Sequence, residues 1–379
     1  MKLYKMQKTK ENGNDMENQQ LLSLAAMSNR YGANPAYVLA GGGNTSYKSE
    51  KLLWVKGSGT SLATIKAEDF VVLEREKLDK MWTANYPEKE ADREAAVLAD
   101  MMAARVPGET RRPSVETLLH NLFPQKFVLH VHPALVNGLT CSQEGEKAMK
   151  RLFPKAVWVD ACKPGYILAL DCREKMNAYT RETGEICNLL FLQNHGIFFA
   201  GDTVEAIDEI ANMVMDALSK EVSVKPNLDE IAYDAAYAAR LQAKLEALCG
   251  AESAVCFTAS PAVLAYDPAT KSVSPDHIVY AKAKQLAIQD EAELEAAFAA
   301  FVSENGYQPR IVFVAGLGMF ACGTSKQTAA TAQVVMLDAI QVVCYADAFG
   351  GVSPMTQELI DFIVNWEVES YRSKVSLGK

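Results

Sequence analysis

The sequence predicts a layered α/β fold with a mixed or antiparallel central sheet. Short apolar runs typical of strands, such as 52–55 and 127–132, alternate with segments of helical periodicity, such as 203–219. Some strand-to-strand connections are too short for the crossover helix that parallel neighbours require. At 379 residues the chain also exceeds the usual size of one α/β core, so we expect two domains.

The first half begins with a polar stretch, expected to be frayed, followed by a helix at 18–30 that ends in breaker residues. Strand-like runs at 37–39 and 52–55 each lead into a glycine-rich turn. Ser114 is placed to cap a helix over 115–122 that carries Glu116 in its first turn. The remaining elements expected in this half are strands at 127–132, 156–159 and 189–193 and a helix at 203–219.

Lys225-Pro226-Asn227 separates two helical patterns, and we place the domain boundary there, giving domains 1–225 and 226–379. The elements expected in the second domain are helices at 228–248, 291–304 and 327–349 and a strand at 310–315. Residues 191–201 align without gaps on 313–323, with four identities in eleven positions. We interpret the C-terminal part as a degenerate copy of the first fold, in which Leu317 replaces His195.

Composition restricts the function classes. The net charge of −9 opposes binding to nucleic acid or to an anionic membrane surface, and the composition is that of a globular protein. We find neither a membrane-spanning apolar run nor a signal peptide, so we expect a cytoplasmic location. The eight cysteines are scattered singly, which favours reduced thiols over a disulfide framework or a zinc knot.

Three of the five histidines form the strongest chemical signal. His130 and His132 are two residues apart on a predicted strand, so both imidazoles project from one face. The alternative is two strand histidines with unrelated hydrogen bonds. His195 follows another predicted strand, and Glu116 lies at the start of a neighbouring helix. Together these four residues favour a catalytic divalent metal ion with an open position for substrate.

Four separated motifs carry a family resemblance. They are Gly43-Asn44-Thr45-Ser46, Lys56-Gly57-Ser58-Gly59, Pro113-Ser114-Val115-Glu116 followed by His130-Val131-His132-Pro133, and Asn194-His195-Gly196. In order and spacing the chain resembles the class II aldolase and adducin family over residues 18 to about 220. It is most similar to the aldolases of L-rhamnulose 1-phosphate and L-fuculose 1-phosphate. The glycines 41–43 and the segments 274–277 and 316–320 resemble the aldolase half of bifunctional rhamnulose-phosphate aldolase/dehydrogenase proteins, whose dehydrogenase half is not expected here.

The resemblance implies a class II aldolase-like α/β/α domain and a metal-dependent lyase that cleaves a deoxyketose 1-phosphate to dihydroxyacetone phosphate and a hydroxyaldehyde such as lactaldehyde. Glu116 matches the catalytic acid/base. His130, His132 and His195 would hold the metal, for which three imidazoles favour Zn²⁺. The positions matching the family's phosphate-binding residues are Gly43, Asn44, Ser58, Gly59 and Ser114. A homo-oligomer is also expected. An epimerase, dehydratase or decarboxylase could use the same site, and a non-catalytic adducin-like scaffold is a further alternative, although a scaffold would not need Glu116.

Other residues have simpler interpretations. His120 shares a helix face with Glu116 but is expected to be packed or hydrogen-bonded rather than a ligand. Asp276-His277 resembles a carboxylate-histidine pair without a nucleophile motif, and we expect a structural role. Gly316 and Gly318 fit a loose dinucleotide-binding pattern, but no helix begins at these glycines, which opposes nicotinamide binding.

Overall fold

A computed structural model describes residues 2–366, with side chains from residue 16 onward. The strands in this range are β1 (Asn44–Lys48), β2 (Leu52–Val55), β3 (Val71–Glu74), β4 (Phe127–Val131), β5 (Val157–Val159), β6 (Leu189–Leu192), β7 (Gly196–Gly201), β8 (Ala254–Thr258), β9 (Leu286–Ile288), β10 (Ile311–Val314) and β11 (Gly318–Gly323). The α-helices are α1 (Lys2–Gly32), α2 (Arg75–Lys80), α3 (Glu90–Ala103), α4 (Thr117–Leu122), α5 (Ala134–Thr140), α6 (Gly145–Leu152), α7 (Tyr166–Thr183), α8 (Val204–Glu221), α9 (Ala235–Cys249), α10 (Pro261–Ala265), α11 (Pro275–Ala281), α12 (Leu294–Asn305), α13 (Lys326–Ala346) and α14 (Gln357–Asn365).

The first of two compact units comprises Met1–His132, Phe153–Leu192 and Gly196–Met215. Its seven-stranded sheet has the order β3-β2-β1-β4-β7-β6-β5. Neighbouring strands are antiparallel except β5 and β6, which run parallel. Apolar residues of this sheet form one buried cluster with helices α3, α4 and α7. The predicted α/β fold with a mixed sheet is therefore confirmed.

The second unit comprises Pro133–Leu152, Gln193–His195 and Asp216–Lys379. Its four-stranded sheet has the order β8-β11-β10-β9. Alternate residues of β10 enter different clusters: Val312 and Val314 pack with α9 and α12, whereas Ile311 and Phe313 pack with α11 and α13. Because successive strand residues point to opposite faces, this sheet is covered on both faces by helices.

The two sheets share a pattern of strand pairing, which supports the repeat read from the sequence. The order β4-β7-β6-β5 has the same directions as β8-β11-β10-β9. The hairpins also share their register: Phe191 pairs with Ile197 as Phe313 pairs with Met319. Following this register, the counterparts of His130, His132 and His195 are Phe257, Ala259 and Leu317. The C-terminal copy therefore carries apolar residues at all three positions.

Several local expectations were wrong. Helix α1 begins at Lys2 rather than near residue 18. Residues 37–39 form no strand, because the amides of Tyr37 and Val38 donate to the Asn34 carbonyl and hold the segment in a turn. Helix α9 begins at Ala235, seven residues after the expected start, where the Asp234 side chain accepts from the Tyr237 amide. The domain boundary at 225/226 stays a prediction.

Helix α13 belongs to the core of the second unit. By length and composition, Lys326–Phe349 could cross a membrane, with a mean hydropathy of 1.4 in its most apolar window, half of which is buried. The helix packs against α5, α11, β8 and β11. Its apolar composition is thus accounted for by its contacts within the unit.

An ion pair anchors the loop that leads to Glu116. Arg111 donates to both carboxylate oxygens of Glu109, at 2.9 Å through Nε and 2.5 Å through Nη2. The same guanidinium donates to the carbonyls of Glu68 and Phe70. The hydrogen bonds from Arg111 lower the pKa of Glu109 to about 2.

We expect Glu109→Gln to reduce the free energy of unfolding by about 1 kcal/mol at pH 7. Because the folded-state pKa is lowered, the ionised carboxylate stabilises the fold above pH 4.5, and this contribution is lost as the pH falls from 4.5 towards 2. Denaturant unfolding at several pH values should therefore show the two proteins converging in acid. Glu50→Gln, at an exposed position, serves as the control, and a pH-independent difference would contradict the prediction.

Candidate functional site

The structure brings the three predicted metal-binding histidines together. His130 lies on β4, His132 directly follows it, and His195 lies in the turn that connects β6 to β7. β7 pairs with both β4 and β6, so the hairpin carries its turn to the end of β4. One ring nitrogen from each histidine lies within 4.8 Å of the other two.

Hydrogen bonding selects the nitrogen that His130 can offer to a metal. Its Nδ1 donates to the Ile197 carbonyl at 2.9 Å, because a carbonyl oxygen can only accept. Nε2 is then the atom with a lone pair, and it lies 2.8 Å from His132 Nε2. The ring is buried and stacks on Phe198 at a centroid distance of 4.0 Å. This convergence of lone pairs, held in a fixed orientation, fits a divalent cation.

Gly196 provides the space that the His132 ring occupies. A Cβ atom at this position would lie 2.5 Å from His132 Cδ2 and 2.6 Å from the Val131 carbonyl oxygen. Both distances are far below van der Waals contact. The glycine in Asn194-His195-Gly196 is thus required by close packing against a candidate ligand.

We expect Gly196→Ala to weaken metal affinity by about 10- to 100-fold, because the added methyl group displaces His132. Gly201→Ala, at the other end of β7, is the control, since its Cβ would lie no closer than 3.1 Å to a neighbouring atom. Competition with a chelator of known affinity measures the metal affinity of both variants. Equal affinities in the two variants would show that the tight contact does not position the ligand.

Glu116 lies against the histidines in a buried position. Its Oε1 is 3.2 Å from His130 Nε2, and its side chain is 9% exposed. The other carboxylate oxygen accepts a hydrogen bond from the Asn44 amide group. Asn44 is the direct cross-strand partner of His130, so the β1–β4 register places all three side chains together. The sequence did not reveal that Asn44 orients Glu116.

The turn before Glu116 differs from the expected helix cap. The Ser114 hydroxyl accepts from the Glu116 amide at 3.2 Å, whereas α4 begins only at Thr117. Thr117 donates its hydroxyl hydrogen to the Ser114 carbonyl at 2.6 Å. Ser114 therefore closes the turn that presents Glu116 rather than capping a longer helix.

The five predicted phosphate-binding residues lie on segments that the sheet brings together. Gly57 and Pro113 form an isolated bridge, which places Ser58 and Gly59 beside Ser114. The amides of Ser58 and Ser114 donate to the carbonyls of Arg112 and Lys56. The backbone amides of these two residues are therefore already hydrogen-bonded, and only their hydroxyl groups could contact an anion. Gly43 and Gly59 have φ angles of +72° and +81°, which favour glycine.

Sequence reasoning missed Lys56. Its side chain is buried, and the ammonium group donates to the carbonyls of Gly41 and Gly43 at 3.2 and 2.9 Å. It thus holds the glycine-rich segment that ends at Asn44. Its position at the end of a predicted apolar strand more often marks an exposed lysine, and the Lys56-Gly57-Ser58-Gly59 motif was the sequence signal for a role of this residue.

The turn that carries His195 is held within the second unit through Asn194. The side-chain amide of Asn194 donates to the carbonyls of Val273 and Ser353 at 3.1 and 2.8 Å. Its backbone amide donates to the Thr140 carbonyl at 3.0 Å. The φ angle of +56° is one that asparagine tolerates better than most residues. Residues far along the chain therefore fix the position next to a candidate ligand.

We expect Asn194→Gly to weaken metal affinity by about 10-fold or more, because it removes two hydrogen bonds but keeps the backbone angle accessible. Asn137→Ala, in helix α5 of the same unit, is the control. Isothermal titration calorimetry with Zn²⁺ measures the metal affinity of both variants. The midpoint temperature of thermal unfolding shows whether either variant is destabilised as a whole. Unchanged affinity in Asn194→Gly would assign the side chain a purely structural role.

The two remaining histidines lie outside the cluster. Burial lowers the pKa of His120 well below its usual value, and its Nδ1 lies 2.8 Å from the Ser46 hydroxyl. His277 is buried between Ser274, at 3.1 Å, and Asp338, at 2.9 Å. The carboxylate that bonds the His277 ring is thus Asp338 of α13. Gly316 and Gly318 lie at the β10–β11 turn, and α13 begins eight residues after Gly318, so no helix N-terminus meets these glycines.

The chain matches two family models and a curated bacterial relative. Residues 23–222 match the Class II Aldolase and Adducin N-terminal domain, and residues 302–372 match Aldolase class II, second domain. A curated protein from Bacillus subtilis (strain 168), "Uncharacterized oxidoreductase YuxG", is 25% identical over an alignment 406 positions long that covers 92% of this chain. The match spans 57% of the length of that relative.

Two solved structures resemble about half of the chain. The N-terminal class II aldolase domain of a conserved protein from Thermoplasma acidophilum is 28% identical, covers 52% of this chain and 92% of that chain, and has a TM-score of 0.45. An L-fuculose-1-phosphate aldolase from Thermus thermophilus is 15% identical, covers 52% of this chain and 92% of that chain, and has a TM-score of 0.33.

Proposed function

Because this chain belongs to the class II aldolase and adducin family, we propose that it is a metal-dependent aldolase acting on a deoxyketose 1-phosphate. The proposed substrates are L-rhamnulose 1-phosphate and L-fuculose 1-phosphate, and the products are dihydroxyacetone phosphate and a hydroxyaldehyde such as lactaldehyde. The observation that carries the proposal is the buried Glu116 carboxylate 3.2 Å from His130 Nε2, beside the three-histidine cluster. An adducin-like scaffold would have no use for this acid.

In the proposed reaction the bond between C3 and C4 of the ketose breaks. The proton leaves the C4 hydroxyl, C4 becomes the aldehyde carbon, and the electron pair of the bond passes to C3 and C2 as an enediolate. His130, His132 and His195 would hold a divalent ion, proposed to be Zn²⁺, which would supply a Lewis acid for the negative charge that develops on the substrate. Protonation at C3 then gives dihydroxyacetone phosphate.

Glu116 is proposed to deliver the proton to C3 and to remove it in the reverse direction. The Asn44 amide group holds one carboxylate oxygen, which leaves Oε1 directed at the histidine cluster. Because the Glu116 carboxylate is nearly enclosed, little water reaches it. Its electrostatic interaction with the reacting carbon is stronger for this reason. The chain's own side chains thus supply both an oriented acid and its support.

The substrate phosphate is proposed to bind where Gly43, Asn44, Ser58, Gly59 and Ser114 meet. The Ser58 and Ser114 hydroxyls and the glycine backbone donate to the phosphate oxygens in this arrangement. Lys56 contributes positive charge behind Gly41 and Gly43, which favours an anion in front of them. A homo-oligomer is also part of the proposal.

Activity on the two ketose phosphates tests the proposal. Metal-loaded protein is incubated with each substrate, and released dihydroxyacetone phosphate is measured by a coupled reduction. Release from one or both substrates, abolished by a chelator and restored by Zn²⁺, would support the aldolase. No release from protein that binds one metal ion per chain would contradict it and direct the search to epimerase, dehydratase and decarboxylase substrates.

A further inference from the structure

The second unit contains a cavity that the proposed function does not use. Its volume is about 480 Å³, which is within the range of small-molecule sites. It lies where α9 ends and where the loop between β11 and α13 begins. The residues that matter chemically are Cys249, Ser253, Lys282, Arg310, Cys322 and Thr324.

Two positively charged side chains, Lys282 and Arg310, line this cavity. Among the side chains described from residue 16 to 366, no carboxylate forms an ion pair with Lys282 or Arg310 within 4.0 Å. Glu252, the one acid in the lining, is exposed. Burial, followed by repulsion from Arg310, lowers the pKa of Lys282, and burial lowers that of Arg310. Two neighbouring, half-buried positive charges raise the free energy of the folded protein unless an anion binds beside them.

Lys282 is also held in a strained backbone conformation. Its φ and ψ angles are +70° and 159°, a region that is essentially restricted to glycine. A lysine here costs stability that a glycine would not. Its ammonium group lies 5.7 Å from the centre of the Tyr307 ring, in the wall of the cavity. A requirement for the Lys282 ammonium group in the cavity wall would explain why a lysine rather than a glycine adopts this strained conformation.

Neutral groups and a helix N-terminus complete the lining. The Ser253 hydroxyl donates its hydrogen to the Glu246 carbonyl at 3.0 Å, and Gly323 and Thr324 immediately precede the Ser325 cap of α13. The positive end of this helix dipole adds to the field of the two cations. A phosphate monoester carries about two negative charges near neutral pH, which matches the two cations.

We infer that this cavity is a second ligand site, which binds a small phosphate-bearing molecule through Lys282 and Arg310. The inference is independent of the proposed metal site, since none of the residues that line the cavity is a proposed metal-binding, catalytic or substrate-binding residue. The volume leaves room for a small organic group beyond the phosphate.

A thiol inside the cavity offers a local readout. A hydrogen bond with Cys322, and then the charge of Arg310, lower the pKa of Cys249 below its usual value. Cys249 should therefore react with iodoacetamide faster than the buried Cys322. A phosphate ion in the cavity would both shield Cys249 and cancel the influence of Arg310.

The test measures alkylation of Cys249 by peptide mass spectrometry at increasing inorganic phosphate, with ionic strength held constant by chloride. We expect saturable protection in the unmodified protein. Lys282→Gly and Arg310→Met should raise the half-protecting phosphate concentration at least tenfold. Lys284→Met, which removes an exposed lysine paired with Glu304, should leave it unchanged. Lys282→Gly should also unfold at the same or a higher temperature, because glycine accepts the strained angles.

Two outcomes would overturn the inference. Protection that is absent, or equal in all variants, would place any bound phosphate elsewhere in the protein. Acetate protecting as well as phosphate at equal concentration would exclude phosphate recognition in favour of a simple carboxylate site. Phosphate bound at the proposed catalytic site would act equally in every variant and cannot mimic the expected difference.

Discussion

Glu116→Gln is expected to lower the rate of dihydroxyacetone phosphate release by about 10²- to 10⁴-fold while one metal ion per chain remains bound. Glutamine preserves the size of the side chain and can still accept the hydrogen bond from Asn44. It cannot carry the proton that the reaction exchanges at C3. The expected defect therefore lies in proton transfer rather than in folding or metal binding.

Two measurements distinguish these steps. Turnover is followed with the ketose phosphate, and exchange of the C3 proton of dihydroxyacetone phosphate is followed by NMR in D₂O, without any aldehyde present. Both should be lost in Glu116→Gln, whereas Glu76→Gln, an exposed glutamate on α2, should retain both. Exchange that persists in Glu116→Gln would assign the proton transfer to another residue.

Replacing a candidate metal ligand is expected to reduce turnover by about 10³-fold or more, a loss of about 4 kcal/mol of transition-state stabilisation. His132→Gln and His195→Gln each remove one of three nitrogens within 4.8 Å. Two remaining ligands hold a divalent ion too weakly to survive dialysis. The expected finding is less than one metal ion per folded chain, together with lost activity.

The chain provides its own controls because it has five histidines. His120→Gln and His277→Gln alter buried histidines outside the cluster, and they are expected to lower thermal stability but to keep the metal. Metal content is measured by mass spectrometry on protein refolded and dialysed in parallel. Metal loss in either control, or its retention in both ligand variants, would contradict the assigned ligand set.

Local patterns were sufficient for the fold class and for the pairing of two histidines. Alternation along a strand places residues i and i+2 on one face, so His130 and His132 were expected to converge, and their Nε2 atoms lie 2.8 Å apart. The gapless match between 191–201 and 313–323 likewise predicted a repeated hairpin, and the two registers agree. These features depend only on residues close together in the chain.

Local patterns failed where propensity competed with a turn or a cap. The apolar residues 37–39 resembled a strand, but backbone hydrogen bonds to the Asn34 carbonyl hold the segment in a turn. Ser114 has the sequence context of a helix cap, yet its hydroxyl accepts from the Glu116 amide within a turn, and α4 begins only at Thr117. In both cases local hydrogen bonds outweigh a weak intrinsic preference.

Other contacts between distant residues could not be inferred from local patterns in the sequence. Asn44 and Glu116 are 72 residues apart and meet only because β1 pairs with β4 in one particular register. Asn194 reaches Val273 and Ser353 across 79 and 159 residues. The Lys282–Arg310 cavity likewise depends on where α9, α11 and β11 end. Periodicity and capping act over a few residues, whereas strand register and packing bring together segments that are far apart in the chain, and no local pattern encodes these contacts. The residue types therefore identified the chemistry, and the tertiary structure determined the partner of each side chain.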